Sequence, residues 1–142
     1  DEVVNYIEQL QKKIKLYFIV DTLDYLYRGG RIGKASHFIG SILNIKPILS
    51  LDEEGVVYSV DKARGERKAL HRIIELLQEN ITTNTTNHHL IVAHAAAPQL
   101  AEQWMESIKS QIQVSSISTA NIGPVIGVHT GVGTVGVCIF SE

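Results

Sequence analysis

The stretch HTGVGTVGVCIF, His129 to Phe140, decides between two folds. Gly131, Gly133 and Gly136 spell G-x-G-x-x-G, the spacing of a dinucleotide-binding turn. That turn needs a strand before the glycines, a helix opening on them so that its amides meet the pyrophosphate, and an acidic residue about 20 positions further on. Here Val137, Cys138, Ile139 and Phe140 follow Gly136 directly, and an apolar run of that length reads as a strand. The glycines therefore predict a turn entering a strand, and the dinucleotide reading fails on context.

Around this stretch, 142 residues with 44% hydrophobic and 20% charged side chains have the composition of one globular domain, residues 1–142, able to bury its own core. No apolar run approaches the roughly 18 residues that span a bilayer, and the charged start, Asp1 to Leu16, lacks a signal-peptide core. The expectation is a cytoplasmic protein. One cysteine, Cys138, excludes a disulfide framework and a cysteine-based zinc site within these residues. The only methionine is Met105, and the sequence opens directly in an amphipathic helical pattern of Val3, Ile7, Leu10 and Ile14, which suggests part of a longer protein.

The net charge of −2 is too small to argue for nucleic acid, but it is unevenly spread. Residues 1–72 carry 12 of the 13 Lys and Arg against 10 acids, whereas residues 73–142 carry one Lys against 5 acids. An anionic ligand or acidic partner would meet the first half, at Arg28, Arg31 and Lys34 or at Lys62, Arg64, Arg67 and Lys68.

The elements follow from hydrophobic spacing. A first helix ends near Lys15; LYFIV (16–20) reads as a buried strand, and Asp21 or Thr22 can cap a helix through LDYLYR (23–28). GGRIG (29–33) breaks that helix. KASHFIGSILN (34–44) predicts another, with Phe38, Ile39, Ile42 and Leu43 on one apolar face. IKPILSL, the turn DEEG and VVYSV predict an antiparallel hairpin over 45–60, with Pro47 marking an edge or a strand start. Helices are expected over 65–80 and from Pro98 to Ile112, strands over 88–96, 113–118 and 134–140, and a short helix after Pro124. The sum is an α/β (α+β-like) domain: a mixed sheet of about six strands covered by helices.

Six histidines raise the question of a metal, yet no carboxylate or cysteine stands at ligand spacing beside His88, His89 and His94, and His88 is too far along a strand from His94 to share a small ion. His37 and His71 fall within helices. His129 differs: with Thr130 beside it, and Gly127, Gly131 and Gly133 around it, an imidazole and a hydroxyl stand where backbone can approach a ligand closely. That arrangement suits a carboxylate or phosphate. There is no G-x-S-x-G nucleophile, Asp52, Glu53 and Glu54 form a turn, and the sequons at 80–82 and 84–86 carry little meaning without a secretory route. An enzyme using His129 as general base, or a structural interaction module, are the alternatives to a binding role.

DTLDYLYRGGRIGKASHFIGSILNIKPILSLDEEGVV (21–57), KARGERKAL (62–70) and IGPVIGVHTGVGTVGV (122–137), in that order, resemble the C-terminal part of the DegV family of bacterial fatty-acid-binding proteins. The resemblance implies a two-domain protein whose N-terminal α/β domain precedes these residues, with a long-chain fatty acid bound between the two. It implies a non-enzymatic carrier without a cofactor, which presents the acid to a separate fatty acid kinase for conversion to an acyl phosphate. It also implies that His129 and Thr130 lie near the acyl head group, to which the flanking Gly127 and Gly131 would give backbone access, and Arg64 near that group or the kinase. Gly65 departs from the threonine that often follows this arginine in the family. An acyl chain needs an apolar wall, for which Ile32, Phe38, Ile39, Ile42 and Leu43 are the candidates; Arg28, Arg31 and Lys34 are candidates for contacts with an acyl phosphate or an acidic partner.

Overall fold

The computed structural model describes residues 1–81 and 87–142. In chain order the elements are α1 (Glu2–Lys13), β1 (Lys15–Ile19), α2 (Asp24–Arg28), a 3-10 helix (Gly33–Phe38), β2 (Ile45–Leu51), β3 (Val57–Arg64), α3 (Glu66–Asn80), β4 (His88–His94), α4 (Pro98–Gln111), β5 (Ser116–Asn121), α5 (Pro124–Thr130) and β6 (Val135–Ser141). The strands form one six-stranded sheet in the order β3-β2-β1-β6-β4-β5. β4 and β5 pair in parallel across the α4 crossover, and the other neighbours are antiparallel. The mixed sheet of the sequence reading is the fold observed, and a strand does follow Gly136.

Alternation along the strands divides the core. Tyr17, Ile19, Leu90, Val92, Val135 and Val137 face α3 and α4, whose Ile73, Leu77, Trp104 and Ile108 close the larger cluster. Phe18 and Val20 point to the other face, where Leu26, Ala35, Leu49 and Val57 form a smaller one. Gly136 stands opposite Phe18, and a Cβ there would come within 2.8 Å of the Phe18 Cβ, so the last glycine of the G-x-G-x-x-G spacing serves strand packing. The apolar side of α1 is exposed at Val3, Tyr6 and Ile7, and none of its residues is buried.

The β2–β3 hairpin is tied at its turn. Asp52 Oδ1 accepts the N–H groups of Glu54 and Val56 at 3.0 and 2.9 Å, and Gly55 takes the positive φ of 78°. Lys34 Nζ donates to Asp52 Oδ2 at 2.7 Å. The opposite end of β2 is less regular. Continuing the Phe18–Leu49 register would set Val20 opposite Pro47, which has no N–H to give. Lys46 Nζ instead donates to the carbonyls of Val20 and Asp21, at 3.2 and 3.1 Å, and β1 and β2 part company there. Pro47 thus lies within an interior strand, not at an edge, because the side chain beside it takes over the carbonyls its ring cannot serve.

Of the helix expected over 34–44, only 34–38 is helical, as part of the 3-10 helix. The 3-10 helix stops at Phe38, Ile39 is extended, and Gly40 and Asn44 have φ of 75° and 71°, which no helix accommodates. β3 runs on to Arg64 past the expected Val60, through a register shift opposite Ile48 and Leu49, and β5 begins later than 113. Of the two sequons, the second lies outside the described residues, as does Thr82 of the first.

Two outcomes are expected. Trp104→Ala should cost about 3–5 kcal/mol in urea unfolding, as a large side chain removed from a closed core, whereas Ile91→Ala on the exposed side of β4 should change stability by about 0.5 kcal/mol or less. The hydrogen bond from Lys34, with those from Val56 and Glu54, holds the Asp52 carboxyl below its ordinary range. Because the folded-state value is depressed, this contribution is full above the unfolded value of about 4 and is lost as pH falls through the folded one. Acid titration of Asp52→Asn should therefore show a shallower loss of stability below about pH 4 than the parent chain.

Candidate functional site

The residues from IGPVIGVHTGVG build a short helix with glycine at both ends. Gly123 precedes Pro124, which starts α5, and Gly131 ends it with φ of 86°. Facing it is α2, opened by the Thr22 hydroxyl, which accepts the Asp24 N–H at 3.2 Å. GGRIG closes α2: the Gly30 N–H donates to Tyr27 O at 3.1 Å and the Arg31 N–H to Leu26 O at 2.7 Å, with Gly30 at φ 69°. These are the two bonds of a Schellman ending.

The two helices interlock through a pair of glycines. His129 of α5 rests against Gly29, where a Cβ would overlap the ring at Nδ1. Tyr25 of α2 rests against Gly131, where a Cβ would overlap the phenol ring. Each helix supplies the ring that the other's glycine admits. His129 Nδ1 is buried and has no hydrogen-bond partner among the described residues. The tautomer with its proton on Nε2 avoids burying an N–H without an acceptor, and so leaves Nε2–H as the donor for a ligand.

Thr130 is placed differently from His129. Its side chain is buried, and its hydroxyl turns back to Ile126 O of its own helix at 3.4 Å. The imidazole and hydroxyl do not form the exposed pair that their adjacency in sequence suggests, because neighbouring residues on a helix point in different directions. Thr130 O and Gly131 O in turn accept the Thr134 hydroxyl, at 3.1 and 2.8 Å, which fixes the turn into β6. Gly127 has open space where a Cβ would stand. Around His129, α5 leaves Val125, Ile126 and Val128 exposed, Val125 by 81%, and Val132 beyond it is exposed too.

Beside α2, where β1 and β2 part, lies a cavity of about 380 Å³. Phe38, Ile39, Ile42 and Leu43 line it together with Val20, Tyr27 and Pro47. Ile42 and Leu43 are also largely exposed, Leu43 by 86%. Four of the five wall candidates thus come together, Phe38 at the end of the 3-10 helix and Ile39, Ile42 and Leu43 on the loop after it, rather than on the face of one helix. Ile32 does not join them; it packs against the smaller core cluster. Asp21 lines this cavity and also lies beside Gly133, at the turn that follows α5.

The basic candidates scatter. Arg31 Nη1 donates to Gly29 O at 3.2 Å, beside the glycine under His129. Arg28 is exposed in the last turn of α2. Lys34 is engaged by Asp52 at the hairpin turn. Arg64 ends β3 opposite Ile45, a residue of the cavity wall. Three other histidines hold structure: His88 Nδ1 meets Ser141 Oγ at 2.6 Å, His89 Nδ1 meets Ser116 Oγ at 2.6 Å, and His94 Nδ1 accepts the Ala97 N–H at 3.1 Å. Among the described residues no three His, Cys, Asp or Glu side chains group as metal ligands do.

The family model described as "Uncharacterised protein, DegV family" matches residues 1–142. The chain belongs to the DegV family. A DegV domain-containing protein of Clostridium acetobutylicum is 40% identical over 143 residues, which are 100% of this chain and 50% of the relative. Among solved structures, a fatty acid binding DegV family protein from Streptococcus agalactiae superposes with a TM-score of 0.87 at 32% identity, covering 100% of this chain and 50% of that one. DegV of Bacillus subtilis, described as a fatty acid binding protein, does so with a TM-score of 0.80 at 34% identity, over 99% and 49%. The chain spans about half the length of these DegV relatives.

Tyr25 and Lys46 shape this region without a signal in the sequence, and Gly29 and Pro47 read there only as part of a helix breaker and as the mark of an edge or strand start. GGRIG was visible as a helix breaker, and the proline stood in plain view within a strand, but their partners lie far away in sequence. The two glycines of α5 should respond oppositely to a methyl group. Gly131→Ala meets both the positive φ and the Tyr25 ring and should lower stability by about 1–3 kcal/mol, whereas Gly127→Ala, in open space within a helix, should raise it by about 0.5–1 kcal/mol, both by chemical denaturation.

Proposed function

We propose that this domain is the C-terminal half of a two-domain fatty-acid carrier, with the head group of a long-chain fatty acid at His129 and the cavity beside α2 as apolar wall. The observation that carries the reading is the His129 ring. It is clamped on Gly29 with Nδ1 turned inward, so that one donor faces outward amid exposed apolar residues. A carboxylate on an alkyl chain matches that combination. The apolar surface supplies affinity at roughly 0.8 kcal/mol per buried methylene, and the imidazole fixes the charged end.

In this reading Val125, Ile126, Val128 and Val132 are covered by the N-terminal domain, which completes the cradle with hydroxyl groups of its own. The protein supplies no catalytic group. A separate fatty acid kinase phosphorylates the presented carboxylate, with Arg28 and Arg64 offered to the acyl phosphate or to an acidic surface of the kinase. The family relatives described as binding fatty acids support this assignment.

Lipid extraction and mass spectrometry of the full-length protein, beside the 142-residue chain, test it. The full-length protein should retain fatty acid and the chain much less. His129→Ala in the full-length protein should weaken retention by about tenfold or more, the scale of one hydrogen bond to a charged group. No co-purified fatty acid, together with no kinase-dependent acyl phosphate from added acid, would sink the proposal. Turnover of a small polar substrate without kinase, lost in His129→Ala, would point to an enzyme instead.

A further inference from the structure

In the carrier role the protein supplies no catalytic group, but the β6-β4-β5 end of the sheet carries a constellation of another kind. We propose that Ser116, His89 and Glu142 form a serine–histidine–carboxylate site that cleaves small carboxylic esters, with Ser116 as nucleophile and His89 as its base. This chemistry is independent of the fatty-acid reading and stands or falls apart from it.

Strand register builds the group. Leu90 and Val92 face α3 and α4, so His89 and Ile91 stand on the opposite side of β4, where Ile91 is exposed. His89 is flanked by Ser116 of β5 and by Phe140 of β6, its register partners, and cross-strand partners share a face of the sheet. Glu142, two residues past Phe140, donates its N–H to Asn87 O at 3.0 Å, which prolongs the β4–β6 pairing and returns its side chain to that face. Ser116 and Glu142 are both exposed.

The His89 ring is held from three directions. Phe140 stacks on it, with ring centroids 5.0 Å apart and planes inclined by 25°. Ser116 Oγ lies 2.6 Å from Nδ1, and Glu142 Oε2 lies 3.9 Å from Nε2. The carboxylate favours the proton on Nε2, which leaves Nδ1 bare to accept the Ser116 hydroxyl. The three roles of a catalytic triad are thus filled, with the two ring nitrogens exchanged relative to the serine proteases; such sites are defined by geometry and role. His88 supplies the contrast. Its Nδ1 also lies 2.6 Å from a serine hydroxyl, that of Ser141, but the ring is buried and pairs with no carboxylate among the described residues.

The backbone adds a donor. The Ser115 N–H donates to His88 O at 2.8 Å, and successive amides of a strand point to opposite sides, so the Ser116 N–H turns to the outer edge of β5, the last strand of the sheet. There it can receive the oxyanion that forms beside the hydroxyl. In the reaction Ser116 Oγ attacks the ester carbonyl carbon as its proton passes to His89 Nδ1. The ester C–O bond then breaks, and the alcohol leaves with that proton. Water attacks the acyl-serine, giving one proton to Nδ1, which returns it to Ser116 Oγ as the acid departs. The open face, with Ile91 beside the histidine, suits short acyl groups and offers no tunnel for long ones.

Two probes test the site on the full-length protein: release of 4-nitrophenol from 4-nitrophenyl acetate, and covalent labelling by a fluorophosphonate, mapped by peptide mass spectrometry. The label should fall on Ser116. Ser116→Ala and His89→Gln should each lower the rate of ester cleavage by about tenfold or more, the loss expected for a nucleophile and its general base. His71→Ala, which removes an exposed histidine of α3, should leave the rate within about twofold. Labelling elsewhere in the parent, an unchanged rate in Ser116→Ala, or equal labelling of Ser116 in His89→Gln would overturn the assignment, as would cleavage that is lost with His129→Ala and kept in Ser116→Ala. For Glu142, a positioning residue, the ring nitrogens of His89 in ¹⁵N NMR are the readout. The Nε2–H form should predominate in the parent and lose ground in Glu142→Gln; unchanged ring signals would overturn its role.

Discussion

Two rings seated on two glycines, His129 on Gly29 and Tyr25 on Gly131, hold α5 against α2, and the site depends on that contact. Both helices are short, seven and five residues, too short to persist on their own. Close approach through glycine replaces length as the source of order. It also imposes an electrostatic condition: the inward nitrogen of His129 is buried without a partner among the described residues, an arrangement that costs free energy and that tight packing must outweigh. A buried polar group left in this state calls for an explanation, and a ligand-binding role for the ring supplies one.

The apolar side of the site has a separate origin. Pro47 removes a donor from the β1–β2 ladder, Lys46 satisfies the two carbonyls left over, and the strands open below Leu49. The loop of residues 39–44, kept out of helix by Gly40 and Asn44, hangs its isoleucines and leucine over the gap. One strand defect and one failed helix thus make a cavity where continuous pairing and a regular helix would have made core. α2 joins the two features, with Tyr27 lining this cavity and Tyr25 resting against Gly131.

The strands were legible because their apolar alternation is local. Val57–Arg64, His88–His94 and Val135–Ser141 can be found to within a few residues from spacing alone, and the misfit of the nucleotide motif followed from one apolar run after Gly136. The stretch 34–44 misled because Phe38, Ile39, Ile42 and Leu43 have helical spacing, and a periodic pattern outweighed one glycine. Backbone conformation at Gly40 and Asn44 decided otherwise. Thr130 misled for the opposite reason: adjacency in sequence suggested a pair, and helix geometry separated it. The contacts of Gly29 and Gly131 were beyond reach, since a glycine that admits a distant ring carries no local signature distinguishing it from one that turns the chain.

The seating of α5 on α2 therefore depends on the coupling between Gly29 and His129. A double-mutant cycle of Gly29→Ala and His129→Ala, followed by urea unfolding, measures it directly. If the ring occupies the space a methyl group would need, Gly29→Ala should be costly in the parent and nearly harmless once the imidazole is gone, with a coupling of about 1–3 kcal/mol. Additive effects within about 0.5 kcal/mol would mean that the ring does not rest on Gly29, and would contradict the account.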